Sequence, residues 1–309
     1  MRWLIYSFVL YLFGQLTINW YPLFMNSFTI KNGDVLQKKL SKHFSGLPKL
    51  ASYRKDSCQT GQWSLKRFTH RPVKGYFSAL SEEGEGVALL KDGETWMSLT
   101  PLEIESHLMA HHSAKGRVVV VGLGLGMIAL SILRKASVKQ LTIIDIDDTL
   151  LKSFPDILDD SERQYVLENI KTGRLRMVCA DCRAALPVDL VADLRGVDYL
   201  WIDIWPELGT EQAYHDAIRL QSQLRAKCVD YWGIELHLCQ SFASSCDVKP
   251  TQLGNRMARL KNHFAKVVET HPMPISAKTL DKRAFNVYFE ICILVSMNLR
   301  DTLGSRMGY

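Results

Sequence analysis

Hydrophobic and polar positions change their period several times along this chain, and each change marks an element. Residues 117–121 hold four consecutive valines, a continuous apolar run suited to a parallel strand covered on both faces. Gly122, Gly124 and Gly126 come next, then an amphipathic segment, then a second apolar run that ends on acids at 145–148. This order predicts strand, turn, helix and strand. Further apolar runs predict strands at 175–180 before Asp181, at 197–202 before Asp203, and near 231–238. Helical spacing predicts helices over 147–169, 210–225 and 251–264, while 266–272 and 285–295 read as two closing antiparallel strands. Upstream, 86–100 reads as a hairpin around Lys91-Asp92-Gly93, and Thr100-Pro101 opens a helix running through His107 to His112. Alternating strands and helices of this kind predict an α/β, doubly wound sheet.

The first 83 residues are patterned differently. Between Arg2 and Lys31 no charged residue occurs, and residues 3–16 are almost wholly apolar. A bilayer-spanning helix needs about 20 such residues. Ser7, Gly14, Gln15, Thr17, Asn19 and Pro22 dilute the stretch, and no small-residue cleavage pattern comes after it. Three readings of residues 1–30 stay open: a membrane anchor through 3–24, a hydrophobic arm on a partner subunit, or sequence upstream of a working start at Met25. With lysines just beyond it, the anchor would leave the body cytoplasmic. Residues 31–83 are basic with scattered aromatics, and short strands or loops are expected there. The domain reading places the hairpin and lead-in helix at 84–116 and the α/β domain at 117–300.

Charge changes the picture mainly at the front. The net charge is +6, yet residues 1–80 carry twelve Lys/Arg against Asp34 and Asp56, and the remainder carries 26 basic and 30 acidic residues. A basic front segment can meet nucleic acid or anionic lipid, or simply be solvated. The seven cysteines form no framework: Cys179 and Cys182 are a lone C-x-x-C, and free thiols in a reducing compartment are expected, with Cys179 packed in the core. His111-His112 has no clustered partners in the sequence, so no metal is expected.

The chemistry belongs to the strand ends, because ligands of open α/β sheets bind outside the carboxyl ends of the strands. Gly122, Gly124 and Gly126, Asp145, Asp181 and Asp203 describe one crevice. The glycines let a ligand approach backbone, Asp145 suits a ribose, and Asp181 suits an adenine amino group, with Ile146 and Ala184 against the base and Cys182 beside it. A dinucleotide fingerprint wants G-x-G-x-x-G, but here the third glycine comes one residue early and Met127 stands in its place. Each group also has a plainer role: Asp203 and Asp181 can cap the turn or helix next in the chain, His107 can be a packed histidine, and Trp201 can belong to the core.

The stretches VVVVGLGLGM, LTIIDID, MVCADC and VDYLWIDIW resemble the class I S-adenosylmethionine-dependent transferases. The hairpin Leu90-Lys91-Asp92-Gly93 and the run Glu103-Ile104-Glu105-Ser106-His107-Leu108-Met109 resemble the spermidine synthase branch, over roughly residues 84–295. The resemblance implies a Rossmann-like sheet of the class I methyltransferase type, binding S-adenosylmethionine or its decarboxylated form. It implies a cofactor contact for His107 and proton removal by Asp203. The departures concern charge: Leu125 stands where that branch has an acid, Ser106 replaces its tyrosine, and the second acid after the fourth strand is absent unless Glu207 substitutes. A polyamine acceptor carries ammonium groups that need such acids. Methyl transfer to a small-molecule acceptor is therefore preferred, with Trp205 and Glu207 beside the acceptor. Aminopropyl transfer, helped by Glu207 or Glu235, is one alternative and a non-catalytic cofactor-binding module another. A homodimer and nucleic-acid contact through the basic front are further expectations.

Overall fold

The computed structural model describes residues 33–55, 59–78, 83–245 and 256–305. The stretch 3–24 and the internal start at Met25 lie outside the described residues. Among the described residues no helix is long and apolar enough to cross a membrane.

Nine strands among the described residues form two sheets. The front sheet is antiparallel in the order β1 (Gln59–Thr60), β2 (Trp63–His70), β3 (Gly84–Lys91) and β4 (Glu94–Ser98). The β3–β4 turn is Asp92-Gly93, both at positive φ (52° and 82°), as a two-residue hairpin turn whose twist matches its strands requires. The main sheet is wholly parallel: β7 (Leu175–Cys179), β6 (Val138–Asp145), β5 (Gly116–Val121), β8 (Tyr199–Ile202), β9 (Val229–Tyr231). In chain order this is 3-2-1-4-5, the Rossmann-like doubly wound arrangement expected from the sequence, with the order reversing between β5 and β8.

The valine run shows why a parallel strand reads as continuously apolar. Val119 and Val121 face one core layer with Leu200 and Ile202, and Val118 and Val120 face the opposite layer with Leu141 and Ile143. Strand period two sends alternate side chains to opposite faces, and helices cover both. In chain order the helices are α1 (Gly33–His43), α2 (Pro101–Ser106), α3 (Leu108–Ser113), α4 (Met127–Leu133), α5 (Asp148–Ile157), α6 (Asp160–Lys171), α7 (Val188–Leu194), α8 (Glu211–Leu224), α9 (Ile234–Ser245), α10 (Arg256–Thr270) and α11 (Lys282–Ser305).

Four expectations need correction. The closing strands at 266–272 and 285–295 are helical: Leu260, Phe264 and Val268 lie buried at helical spacing along α10, and Ala284, Tyr288, Ile291 and Val295 along α11. An apolar run buried on most sides loses the polar positions that separate the two periods. The strand expected over 231–238 stops at Tyr231; Gly233, at φ 86°, turns the chain into α9. In the basic front, β1 and β2 are strands as expected, but residues 33–43 form the helix α1. It buries Leu40, and Lys39 pairs with Glu290 of α11 at 2.6 Å. Cys179, expected in the core, is exposed because β7 is the sheet edge.

Candidate active site

The reversal point puts the ends of β5 and β8 side by side. Gly122 N–H donates to Ile144 O (2.8 Å), and Asp203 N–H donates to Val121 O (2.8 Å), which extends the ladder one residue past each strand. Gly122 sits at φ 96°, and a methyl group on it would lie well inside contact distance of Asp203 O. The other glycines have different neighbours: a Cβ on Gly124 would meet Met97 Sδ, and one on Gly126 the ring of Phe154. Of the three, Gly124 has its open side towards the front sheet, where Met97 of β4 accepts the Leu125 N–H (3.0 Å). Leu125 itself is wholly buried in the core, away from the crevice.

Asp145, at the end of β6, holds the glycine loop. Its Oδ2 accepts from Leu123 N–H (2.8 Å) and its Oδ1 from Asp147 N–H (2.9 Å). Burial raises its pKa, against the lowering effect of those two amides. Each oxygen makes one such bond, and a carboxylate oxygen can accept another. Beside it Ile146 is 65% exposed, an unusual position for an isoleucine, and Asp181 and Cys179 are exposed on the same edge. Asp181 Oδ1 accepts from Arg183 N–H (2.8 Å), so it caps a turn and not a helix. Cys182 is buried, and burial pushes its thiol up to about 12.

His107 reaches this edge from the break between α2 and α3. The break has a local cause. Ser106 Oγ donates to the Glu103 carbonyl (2.8 Å) and His107 Nδ1 meets the same oxygen (2.7 Å), while His107 N–H bonds Ile104 O at 3.4 Å. Side chains thus take the carbonyl that the helical ladder would use, and the helix tightens and turns. Trp232 Nε1 donates to Ser106 Oγ (2.8 Å) and fixes the corner. With Nδ1 on a carbonyl, His107 Nε2 faces Asp203 Oδ2 at 3.1 Å. Both ring nitrogens are thus engaged within the protein, which leaves neither for the cofactor contact expected of His107.

His107 as a residue is 1% exposed. Burial alone would lower its pKa, but Asp203 and Glu103 outweigh that and raise it. Burial lifts Glu103 to about 7, with His107 acting downwards and Asp203 upwards. Glu103 joins His107 and Asp203 in a group whose three donor atoms lie within 4.8 Å of one another. Spacing alone does not disclose it, because Asp203 comes 96 residues after His107. The histidines that drew attention in the sequence are apart from it: His111 Nδ1 lies 3.0 Å from Ser131 Oγ and His112 Nδ1 3.3 Å from Ser45 Oγ.

The remaining expected residues are distributed less favourably for an acceptor pocket. Trp205 is buried against α8, its indole N–H on Asp216 Oδ2 (3.0 Å), and Glu207 is exposed on the loop beyond. Glu235 is buried, with Tyr76 donating to Oε2 (3.0 Å), and burial raises its pKa to about 7. Arg183, which the sequence did not single out, reaches from the end of β7 to Ile204 O beyond β8 (2.8 Å).

No family model matches the chain, and no curated protein matches it. Solved structures are similar in part. A methyltransferase from Geobacter sulfurreducens is 22% identical over 40% of this chain and 54% of its own, with a TM-score of 0.27. The spermidine synthase from Thermotoga maritima is 17% identical over 55% of this chain and 59% of its own, with a TM-score of 0.29. A Rhodobacter sphaeroides structure named for zinc-dependent alcohol dehydrogenases is 16% identical over 60% of this chain and 70% of its own, with a TM-score of 0.28. The chain thus spans little more than half the length of the first two. Their chemistries differ and the TM-scores are low, so these likenesses carry nothing about this chain's reaction.

Proposed function

We propose that this chain is an S-adenosylmethionine-dependent transferase of spermidine synthase-like architecture that transfers a methyl group to a small-molecule acceptor. The observation that carries the reading is the pairing of Asp145 with the glycine loop beside the reversal point, with Asp203 and His107 across it. The residues fit the cofactor. Asp145 keeps acceptor capacity for ribose hydroxyls, and the exposed Ile146 offers an apolar face to a base. Met97 occupies the space over Gly124 with a flexible thioether, which would move aside for the cofactor's tail.

The bound cofactor would supply a sulfonium carbon already activated for displacement. The chain's own task is then to align the nucleophile and to accept its proton. Asp203 is the proton acceptor in this reading, and His107 is a positioning residue that holds Oδ2 while Oδ1 remains available. Methyl transfer is favoured over aminopropyl transfer by where the acids are. Leu125 is apolar and buried, Glu207 lies out on a loop, and Glu235 is enclosed by Tyr76 and Tyr288 in surroundings that favour its neutral form. A polyamine needs charged carboxylates at its ammonium groups.

The reading is tested by incubating the chain with methyl-labelled S-adenosylmethionine and a metabolite extract. Label should pass to a low-molecular-weight product, and Asp203→Asn should abolish transfer while still binding the cofactor. Transfer unaffected by Asp203→Asn overturns the role given to this residue. No transfer by either form, with the cofactor still bound, favours the silent binding module.

A further inference from the structure

We propose that Glu103, His107 and Asp203 form a binding site for a divalent first-row transition-metal ion, of the manganese-to-zinc range. The inference does not depend on the cofactor reading. His107 Nδ1 lies 2.7 Å from the Glu103 backbone carbonyl, which can only accept, so Nδ1 carries the proton. In the neutral imidazole Nε2 then presents a lone pair. It faces Asp203 Oδ2, also a lone-pair donor, at 3.1 Å. Two such atoms at this separation require a proton or a cation between them. A metal-bound histidine characteristically donates its other N–H to a carbonyl or carboxylate, the arrangement that His107 has here.

Geometry and charge agree with an ion. Ligand bonds of about 2.1 Å set at right angles place donor atoms roughly 3.0 Å apart, close to the His107–Asp203 separation. The Glu103 carboxylate lies in the same group, within 4.8 Å, and would close in on the ion, since two bonds of about 2.1 Å span at most about 4.2 Å. Fully deprotonated, the two carboxylates and the imidazole would carry a charge of −2, and among the described residues no lysine or arginine forms a salt bridge with either carboxylate. A divalent cation neutralises the set; hard oxygens with one imidazole select the manganese-to-zinc range over a soft, thiolate-seeking ion.

A second observation is independent of these donors. The Trp201 ring lies 5.2 Å from the His107 ring, and its buried indole N–H has no acceptor among the described residues. A buried donor left without a partner is destabilising, and a water or hydroxide on the ion is the kind of acceptor it lacks. Three protein ligands leave positions open for such an oxygen. The Asp203 side chain is 21% exposed and the His107 side chain 2%, so those positions open towards Asp203 and the crevice. An acceptor hydroxyl placed there would lose its proton more readily.

The test is calorimetric titration of chelator-treated full chain with Zn2+ and, separately, Mn2+, with the optical spectrum of a Co2+ adduct as a second readout. One equivalent should bind the wild type. Glu103→Gln and Asp203→Asn, near-isosteric and checked for folding by circular dichroism, should each weaken binding at least tenfold and bleach the Co2+ bands, while His112→Ala should not. Equal binding in all variants overturns the site. So does absence of binding to a folded wild type, in which case both His107 ring nitrogens should carry protons by 15N NMR. S-adenosylmethionine titrated into the metal-free chain separates failure of this site from failure of the cofactor reading.

Discussion

His107 Nε2 stands 3.1 Å from Asp203 Oδ2 although 96 residues separate the two in the chain. One residue is held by a break in the lead-in helix, the other by the last hydrogen bond of the β5–β8 ladder. Their distance therefore reports how the lead-in helix is seated on the parallel sheet.

Gly122 sets one side of that distance. In Gly122→Ala the new methyl group would meet the Asp203 carbonyl, and φ 96° is strained for alanine. Urea unfolding should show a loss of at least about 2 kcal/mol, and transfer should fall more than stability explains, because Asp203 is displaced. A neutral substitution would mean that the strand ends are not so closely joined.

Asp145 should act on the cofactor chiefly through the loop. Asp145→Ala frees the N–H groups of Leu123 and Asp147 and removes the ribose acceptor. Cofactor affinity should fall at least about tenfold, or 1.4 kcal/mol, as measured by calorimetry. Affinity within a factor of two of the wild type would contradict the ribose assignment.

Met97 should oppose cofactor entry. Met97→Ala removes the thioether from above Gly124 and releases the Leu125 N–H. Cofactor should bind several-fold more tightly, at the cost of a lower melting temperature from lost packing between the front sheet and the loop. Weaker binding would instead make Met97 part of the cofactor's seat.

Glu235 should make stability depend on pH. Burial raises its pKa from 4.5 to about 7, with Asp230 acting in the same direction and the hydroxyls of Tyr76 and Tyr288 acting against it. Below pH 4.5 the carboxyl is protonated whether the chain is folded or not, and its contribution is constant. Between pH 4.5 and 7 the unfolded chain releases this proton and the folded chain keeps it, so stability falls as pH rises and levels off above 7. The fall attributable to Glu235 is on the order of 3 kcal/mol. Glu235→Gln should flatten the denaturation midpoint across this window; an unchanged slope would assign the dependence to another group.

The fold was legible where pattern and punctuation agreed. The valine strand, the Asp92-Gly93 turn and helix α8, with Thr210 capping its start and Arg225 at its end, lie close to where the sequence placed them. It was misread where apolar residues run together, since α11 buries residues on nearly all sides and gives no polar stripe to count. The strand-end acids were legible because each closes an apolar run. The use of those acids was not. That Trp205 turns to Asp216, that Glu235 lies among tyrosines, and that His107 commits both nitrogens are properties of packing between distant segments. Glu103 is the clearest case, since nothing in its own neighbourhood in the sequence points to Asp203.

Calorimetry comparing S-adenosylmethionine with its decarboxylated form tests the central claim most directly, because the two ligands differ at the tail that the Leu125 loop would meet. S-adenosylmethionine should bind the chain, and the decarboxylated form should bind at least about tenfold more weakly. A preference for the decarboxylated form would contradict the methyl-transfer reading, and binding of neither would contradict the cofactor site itself.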